Sequence, residues 1–315
     1  MEFLKIKDEM DYARKRYELK RNIEDMFTSE GYLQVEPSVF EDYNNFTSIN
    51  KKIEKESMVK VLDGNGKVFI LRPDITINII KSLIPRWEDN LKLKLFYNST
   101  IYRNKPNSNI KEFREIGCEC LGEPSLDSER EIIGLVLKIL KGYSDNFILE
   151  IGSSKYINSF FQELNLKENI EKEIKGLIYN KNKCELIDYL QTLNLDKEMN
   201  ELLMNLLDLE GNLEDVINKS KLLYMNDDMK KAIEELTVLK AFIEEYGYLK
   251  YIHFDLSMIT TLDYYKGVIF RGYYPNSYKE IIRGGRYDFL TEAFGKEIPA
   301  IGFSINLDEL MKVTL

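Results

Sequence analysis

Four runs decide the reading of this chain: YIHFDL at 251–256, LDYYKG at 262–267, RGGRYD at 283–288 and IPAIGFSI at 298–305. The first alternates apolar and polar residues, the pattern of a half-buried strand. Val268-Ile269-Phe270 and Glu280-Ile281-Ile282 predict the paired strands of a hairpin. The adjacent glycines 284 and 285 predict a sharp turn where backbone can approach a ligand closely. The last run predicts a buried strand, followed by a short helix from Asn306. Tyr264, Tyr265 and Tyr287 offer flat walls that also form hydrogen bonds, which suits a planar polar ligand. The same tyrosines would serve equally as packing at a sheet corner.

Working outward, residues 94–97 and 101–103 are strand-like, 104–111 form a polar loop, and 112–121 predict another strand. Side chains alternate faces along a strand, so Phe113, Glu115, Gly117, Glu119 and Leu121 share one. Two carboxylates flanking a glycine predict an open slot above the sheet. Residues 59–71 predict two strands around Asp63-Gly64-Asn65-Gly66, a hairpin signal. Pro73 ends the second, and Asp74 or Thr76 can cap the apolar-periodic helix at 77–83. Near the start, Met10, Ala13, Tyr17, Ile23, Met26 and Phe27 lie at helical spacing, predicting a helix from Glu9 to Ser29 that Gly31 stops. A strand at 32–35 follows. A helix at 125–141 and a strand at 147–151 lead to residues 155–249, where about five helices and no chemical motif are expected. The last of these presents Met229, Ile233, Leu236, Lys240, Ile243 and Tyr246 on one face.

The chain has 315 residues and a net charge of −9, with 44% hydrophobic and 31% charged residues. That is a globular profile, sufficient for one large domain or two modest ones. No apolar run is long enough to span a bilayer and the N-terminus lacks a secretory core, so a cytoplasmic protein with no membrane partner is expected. Cys118, Cys120 and Cys184 form no disulfide framework. With His253 the one histidine, a zinc site is not expected either, and no metal or cofactor is called for. Nucleic-acid binders concentrate positive charge, and nothing here forms a basic arm, so tRNA is not an expected partner. The phosphate-binding loops and nucleophile elbows of common enzymes are missing, as is any phosphoribosyl-pyrophosphate loop.

LDYY and GGRYD resemble the two histidine-recognition signatures of the histidyl-tRNA synthetase family, and PAIGFSINLDEL at 299–310 resembles the third class II synthetase motif. Gly-Tyr-x-x-Val-x-Pro at 31–37 is similar to the first motif, which in that family forms the homodimer interface. The strand-loop-strand around Arg103 is similar to the second. Departures point to the non-ligating branch, the regulatory subunits of ATP phosphoribosyltransferase. Thr260 and Thr261 stand where ligating members carry Arg-Gly, and Glu309 stands where they carry a phosphate-binding arginine. Each change removes positive charge that a triphosphate needs.

The resemblance implies an α+β fold: a class II synthetase-like core with an antiparallel sheet flanked by helices. Its parts would be residues 1–154 and 250–315, with a helical insertion at 155–249 and no anticodon-binding domain. It implies a histidine pocket of Asp74, Glu115, Glu119, Tyr264, Tyr265 and Tyr287, with Asp74 facing the amino group and Arg103 a vestigial nucleotide contact. A bound ammonium and imidazole would compensate Glu115 and Glu119; ion pairs with Arg103, Arg114 or Arg286 are the competing reading. No catalytic residue is implied. The expected role is regulation of a short-form catalytic ATP phosphoribosyltransferase subunit, with histidine as effector and a homodimer inside a hetero-octamer. A histidine-activating adenylate ligase and a stand-alone histidine sensor remain the alternatives.

Overall fold

The computed structural model describes every residue except 1–4, 50–53, 105–108, 194, 196, 224, 261–263, 276, 278 and 315. Thr261, Leu262 and Asp263 of the first histidine signature, and Lys105 and Pro106 of the loop after Arg103, therefore lie outside the described residues. The chain divides into two compact units. One comprises residues 1–123, 276–282 and 290–315, the other 124–275 and 283–289. The expected boundaries at 154 and 249 do not coincide with this division, because the helices after residue 154 pack with strands of the second unit.

The first unit opens with α1 (Ile6–Ser29). Gly31, at φ +84°, turns the chain out of it in the left-handed region. Leu19, Ile23 and Phe27, four residues apart, bury one stripe of the helix. Phe27 meets Tyr32, Phe96 and Phe303 at ring separations of 5.9, 5.6 and 5.8 Å. The apolar positions expected earlier in the helix are not core: Met10 and Tyr17 are 61% and 64% exposed. Next come β1 (Leu33–Gln34), β2 (Phe40–Asp42), α2 (Tyr43–Ile49), β3 (Lys60–Leu62), β4 (Val68–Leu71) and α3 (Thr76–Leu83). β3 and β4 form the expected hairpin, and the Asp63 carboxylate accepts the N–H groups of Asn65 and Lys67 at 2.9 and 2.8 Å. With β2 they make a three-stranded sheet in the order β2-β4-β3.

β5 (Leu93–Arg103) and β6 (Lys111–Leu121) are long antiparallel partners, and β5 runs unbroken where two short strands were expected. Of the later elements, β12 (Ala300–Asn306) lies antiparallel to β6, and the final helix, α12 (Leu307–Thr314), follows it directly. The strand order within this unit is β1-β5-β6-β12.

The second unit holds α4 (Asp127–Tyr143), β7 (Ile148–Ser153), α5 (Ser154–Leu164), α6 (Glu168–Tyr179), α7 (Lys183–Thr192), α8 (Lys197–Leu206), β8 (Glu210–Gly211), α9 (Leu213–Ser220) and α10 (Asp227–Glu245). β9 (Ile252–Asp255), β10 (Val268–Tyr273) and most of β11 (Ile282–Arg286) complete it, and α11 (Asp288–Glu292) straddles its boundary. The strand order is β11-β10-β7-β9-β8. Six helices and a two-residue strand thus occupy the stretch where about five helices were expected. Met229, Ala232, Ile233, Leu236, Leu239 and Ile243 bury α10 against its neighbours. Lys240 leaves the expected apolar face to pair with Glu214 and Glu244, and Tyr246 is exposed.

Two findings revise the expected sheet. β1 runs parallel to β5, and β7 parallel to β9, so the pairing is mixed rather than wholly antiparallel. Gly284 and Gly285 lie within β11 rather than in a turn. What requires glycine at 285 is proximity: a Cβ there would sit 2.6 Å from the Val268 carbonyl oxygen and 2.9 Å from the Tyr265 ring.

Candidate functional site

In the first unit the strand register gathers the acidic residues. Tyr97 pairs with Gly117, Glu119 with Gly302, and Glu115 with Asn306. Glu119 is 1% exposed and Glu115 8%. Thr76 at the start of α3 donates its hydroxyl to Glu119 Oε1 at 2.7 Å. Asp74, three residues before Ile77, accepts that residue's N–H at 2.8 Å, so it does cap the helix. Arg72 is buried and spent on the carbonyls of Thr100, Pro37 and Ser38, which ties the approach to α3 against β5.

The slot expected above Gly117 is not open. A Cβ at 117 would lie 2.5 Å from the Tyr97 hydroxyl oxygen and 2.3 Å from the Phe303 carbonyl oxygen. The glycine makes room for a tyrosine from the neighbouring strand. Tyr97 is itself 1% exposed. Burial first, then the charges of Glu119, Glu115 and Asp74, hold its pKa well above the ordinary phenol value, so it stays protonated. Sequence reading passed over Tyr97. The available signal was an aromatic residue directly across a strand pair from a glycine.

Two of the three arginines considered as partners for Glu115 and Glu119 are engaged elsewhere. Arg114 binds Asp308 at 3.1 Å and Glu112 at 3.6 Å. Arg286, in the second unit, binds Glu129 and Asp288. Arg103 donates to the Pro73 carbonyl at 3.3 Å, and its Nε is buried with no partner among the described residues. Glu309, where the synthetase pattern places an arginine, accepts from Lys279 at 2.9 Å and Lys312 at 2.8 Å. Burial would raise its pKa, but the two ammonium groups outweigh that and hold it below the usual carboxylate range. The position is a fixed anion, the reverse of what a triphosphate needs.

In the second unit the three tyrosines come together. Tyr264 lies 5.1 Å from Tyr265 and meets Tyr287 edge-on at 6.1 Å, with interplanar angles of 48° and 73°. Tyr287 is buried and the other two are half-buried. Arg286, beside Tyr287, forks onto Glu129: Nε to Oε1 at 2.5 Å and Nη2 to Oε2 at 2.8 Å, with Ser128 Oγ at 2.9 Å. Desolvation opposes charge on Arg286, but Glu129 and Asp288 keep its pKa above the ordinary value. Glu129 lies in the first turn of α4. Its pairing with a residue 157 positions away leaves no local signature. His253 is half-exposed, 4.0 Å from Glu210. Cys118 and Cys120 are buried on β6, and no group of metal-binding side chains is found among the described residues.

The family model described as histidyl-tRNA synthetase matches residues 9–310. The "ATP phosphoribosyltransferase regulatory subunit" of Caldanaerobacter subterraneus subsp. tengcongensis is 33% identical over 312 residues, covering 96% of this chain and 80% of that protein. The chain belongs to this family. A protein of the same description from Clostridium acetobutylicum is 34% identical, over 93% of this chain and 74% of its own length. Among solved structures, an ATP phosphoribosyltransferase regulatory subunit/histidyl-tRNA synthetase from Bacillus halodurans superposes with a TM-score of 0.84 at 30% identity, covering 95% of this chain and 80% of that one. The ATP phosphoribosyl transferase (HisG:HisZ) complex from Thermotoga maritima contains a chain of the same fold, with a TM-score of 0.69 at 20% identity over 93% of this chain and 97% of that one. The class II synthetase-like fold expected from the motifs is thus the fold of the family. No described helix is long and apolar enough to cross a membrane.

Proposed function

We infer that this chain is the non-catalytic regulatory subunit of an ATP phosphoribosyltransferase, acting in the first step of histidine biosynthesis. The observation that carries this reading is the 33% identity spread over 96% of the chain to a protein so described. The anionic Glu309, locked by two lysines, supports the non-ligating role. Its partner is the short-form catalytic subunit, which requires it for activity and through it becomes sensitive to histidine. Histidine acts by linkage: it binds one quaternary state better and shifts the catalytic subunits toward that state.

For histidine we read Asp74, Glu115 and Glu119 in the first unit as the acidic recognition group, and Tyr264, Tyr265 and Tyr287 in the second as aromatic recognition residues. Mixing the chain with a short catalytic subunit should switch on ATP phosphoribosyl transfer. In complexes carrying Glu119→Ala or Tyr265→Ala, the histidine concentration for half-inhibition should rise about tenfold or more, as expected when a hydrogen-bonding group is removed from a buried site. Unchanged inhibition in both complexes would remove these residues from the effector site. A second reading, a histidine-activating adenylate ligase, is kept alive by Arg103 with its buried, unpartnered Nε. Histidine-dependent pyrophosphate exchange by the chain alone would favour it.

We also read the exposed apolar residues of α1 and of the first motif after it as a homodimer face within the hetero-oligomer. Met10, Tyr17 and Leu33 are 61%, 64% and 67% exposed. The pair Met10→Glu and Leu33→Glu should convert a sedimenting dimer to monomer while leaving the circular dichroism unchanged. A dimer that persists would place the contact elsewhere.

A further inference from the structure

The second unit contains a cleft that takes no part in the effector site read above. It encloses about 350 Å³ counting its open mouth, at the small end of the range for ligand sites. Its floor is apolar: Ala232, Leu236 and Leu239 of α10 and Val268 of β10 line it, and none is more than 6% exposed. Arg130 of α4 and Val238 of α10 also line it and are open to solvent in part, which places them at the mouth. Ser153 pairs with Val268 across β7 and β10, so both side chains point to this face of the sheet. Ile269 points to the other face, where a Cβ on Gly285 would sit 2.9 Å from Ile269 and from the Tyr265 ring. The cleft and Tyr265 therefore lie on opposite faces.

Arg130 brings an unused donor to this cleft. Its Nη1 donates to Asp127 at 3.0 Å, a pair whose acid is 73% exposed. Its Nε is buried and has no partner among the described residues. A buried N–H is ordinarily paired, because leaving it unmade costs free energy. The Ser153 hydroxyl accepts the Tyr156 N–H at 3.4 Å, which leaves its own proton to give. The two acids on the lining already have cations: Arg286 holds Glu129 and Lys155 holds Glu235. What the cleft calls for is an acceptor attached to hydrocarbon.

We propose that the cleft binds a short aliphatic carboxylate, its chain among Leu236, Leu239 and Val268 and its carboxylate on the Nε edge of Arg130. The proposal does not depend on the reading of the chain as a regulator. A carboxylate can meet a guanidinium with two parallel bonds, and such charge-assisted bonds are about twice as strong as neutral ones. A free amino acid fits worse, since its ammonium would enter an apolar cleft whose carboxylates are already compensated.

The test is isothermal titration of isocaproate, which is leucine without its amino group, into the full chain. Wild type should bind it at a single site. Arg130→Gln should weaken it about tenfold or more, as loss of a bond to a charged group does. The side chain is partly exposed, so the variant keeps the fold. Val238→Trp, which fills the mouth, should weaken isocaproate as much. Isocaproamide, with the same chain and no charge, should bind wild type about tenfold more weakly and should lose little more in Arg130→Gln. No binding of isocaproate to wild type at millimolar ligand overturns the proposal. So does equal affinity in wild type and Arg130→Gln, or in wild type and Val238→Trp, since the ligand then sits elsewhere. Isocaproamide binding as tightly as isocaproate, or leucine binding more tightly, overturns the class of ligand. Histidine titrated in parallel should bind Arg130→Gln as it binds wild type. A matching loss would merge the cleft with the effector site and end its standing as a separate one, while failure of isocaproate alone leaves the effector reading untouched.

Discussion

Glu129→Ala is expected to destabilise the second unit by about 3–5 kcal/mol, the usual result of removing one partner from a buried ion pair. The argument starts from burial. Arg286 and Glu129 are 9% and 5% exposed, and each gives up most of its hydration in the folded chain. What compensates is geometry: both carboxylate oxygens meet different nitrogens of one guanidinium, and Ser128 takes a further donor. Truncating Glu129 leaves the guanidinium with Asp288 at 3.4 Å and the Ser128 hydroxyl, weaker company for a charge away from water. The same arginine carries packing, since a Cβ on Gly267 would sit 3.1 Å from two of its carbons and the Lys266 N–H donates to its carbonyl. Urea unfolding of the wild type and Glu129→Ala measures the loss. Replacing both residues, as Glu129→Leu with Arg286→Met, should recover much of it, because a buried pair exchanged whole for apolar groups is often neutral. A loss below about 1 kcal/mol for the single variant would mean that water reaches the pair and that it behaves as a surface bridge.

That pair also shows what could be read in advance and what could not. Elements with local periodicity were legible: α1 with Gly31 as its stop, the 60–71 hairpin around Asp63, and β6 with both carboxylates and Gly117 on one face. Helical and strand repeats are written in neighbouring residues, and so is turn chemistry. The Arg286–Glu129 contact and the Lys279 half of the Glu309 clamp join positions distant in sequence, and the Tyr97–Gly117 pairing follows from strand register. Register depends on the whole sheet. Glycine was misread for the same reason. Gly284-Gly285 has a turn's composition, yet it lies in β11, where the constraint at 285 comes from Val268 and Tyr265 on other segments. The exposed N-terminal half of α1 is a case of another kind. Its apolar spacing is real, but the surface that would cover Met10 and Tyr17 is not supplied by their own helix.

Gly302→Ala is the second large effect, expected to cost about 1–3 kcal/mol as an overpacked core does, and to weaken histidine binding about tenfold, as much as Glu119→Ala does. An alanine Cβ at 302 would fall 1.9 Å from Glu119 Oε2 and 2.4 Å from the Cys118 carbonyl oxygen. The carboxylate is the end of a side chain and can swing away. The carbonyl is backbone in the β6–β12 ladder, where Gly302 pairs with Glu119 and Phe303 with Cys118, so it cannot yield without parting the strands. Relief therefore comes first from Glu119, which would lose its place and with it the 2.7 Å bond from Thr76. Two measurements divide the effects. Thermal unfolding reports the backbone part, which should persist in the double variant Gly302→Ala with Glu119→Ala because the carbonyl contact remains. Histidine titration reports the carboxylate part, and the double variant should bind no worse than Glu119→Ala alone. Wild-type melting and wild-type histidine affinity in Gly302→Ala would mean that the Glu119 carboxylate does not lie over Gly302, and would dissolve the acidic recognition group built around it.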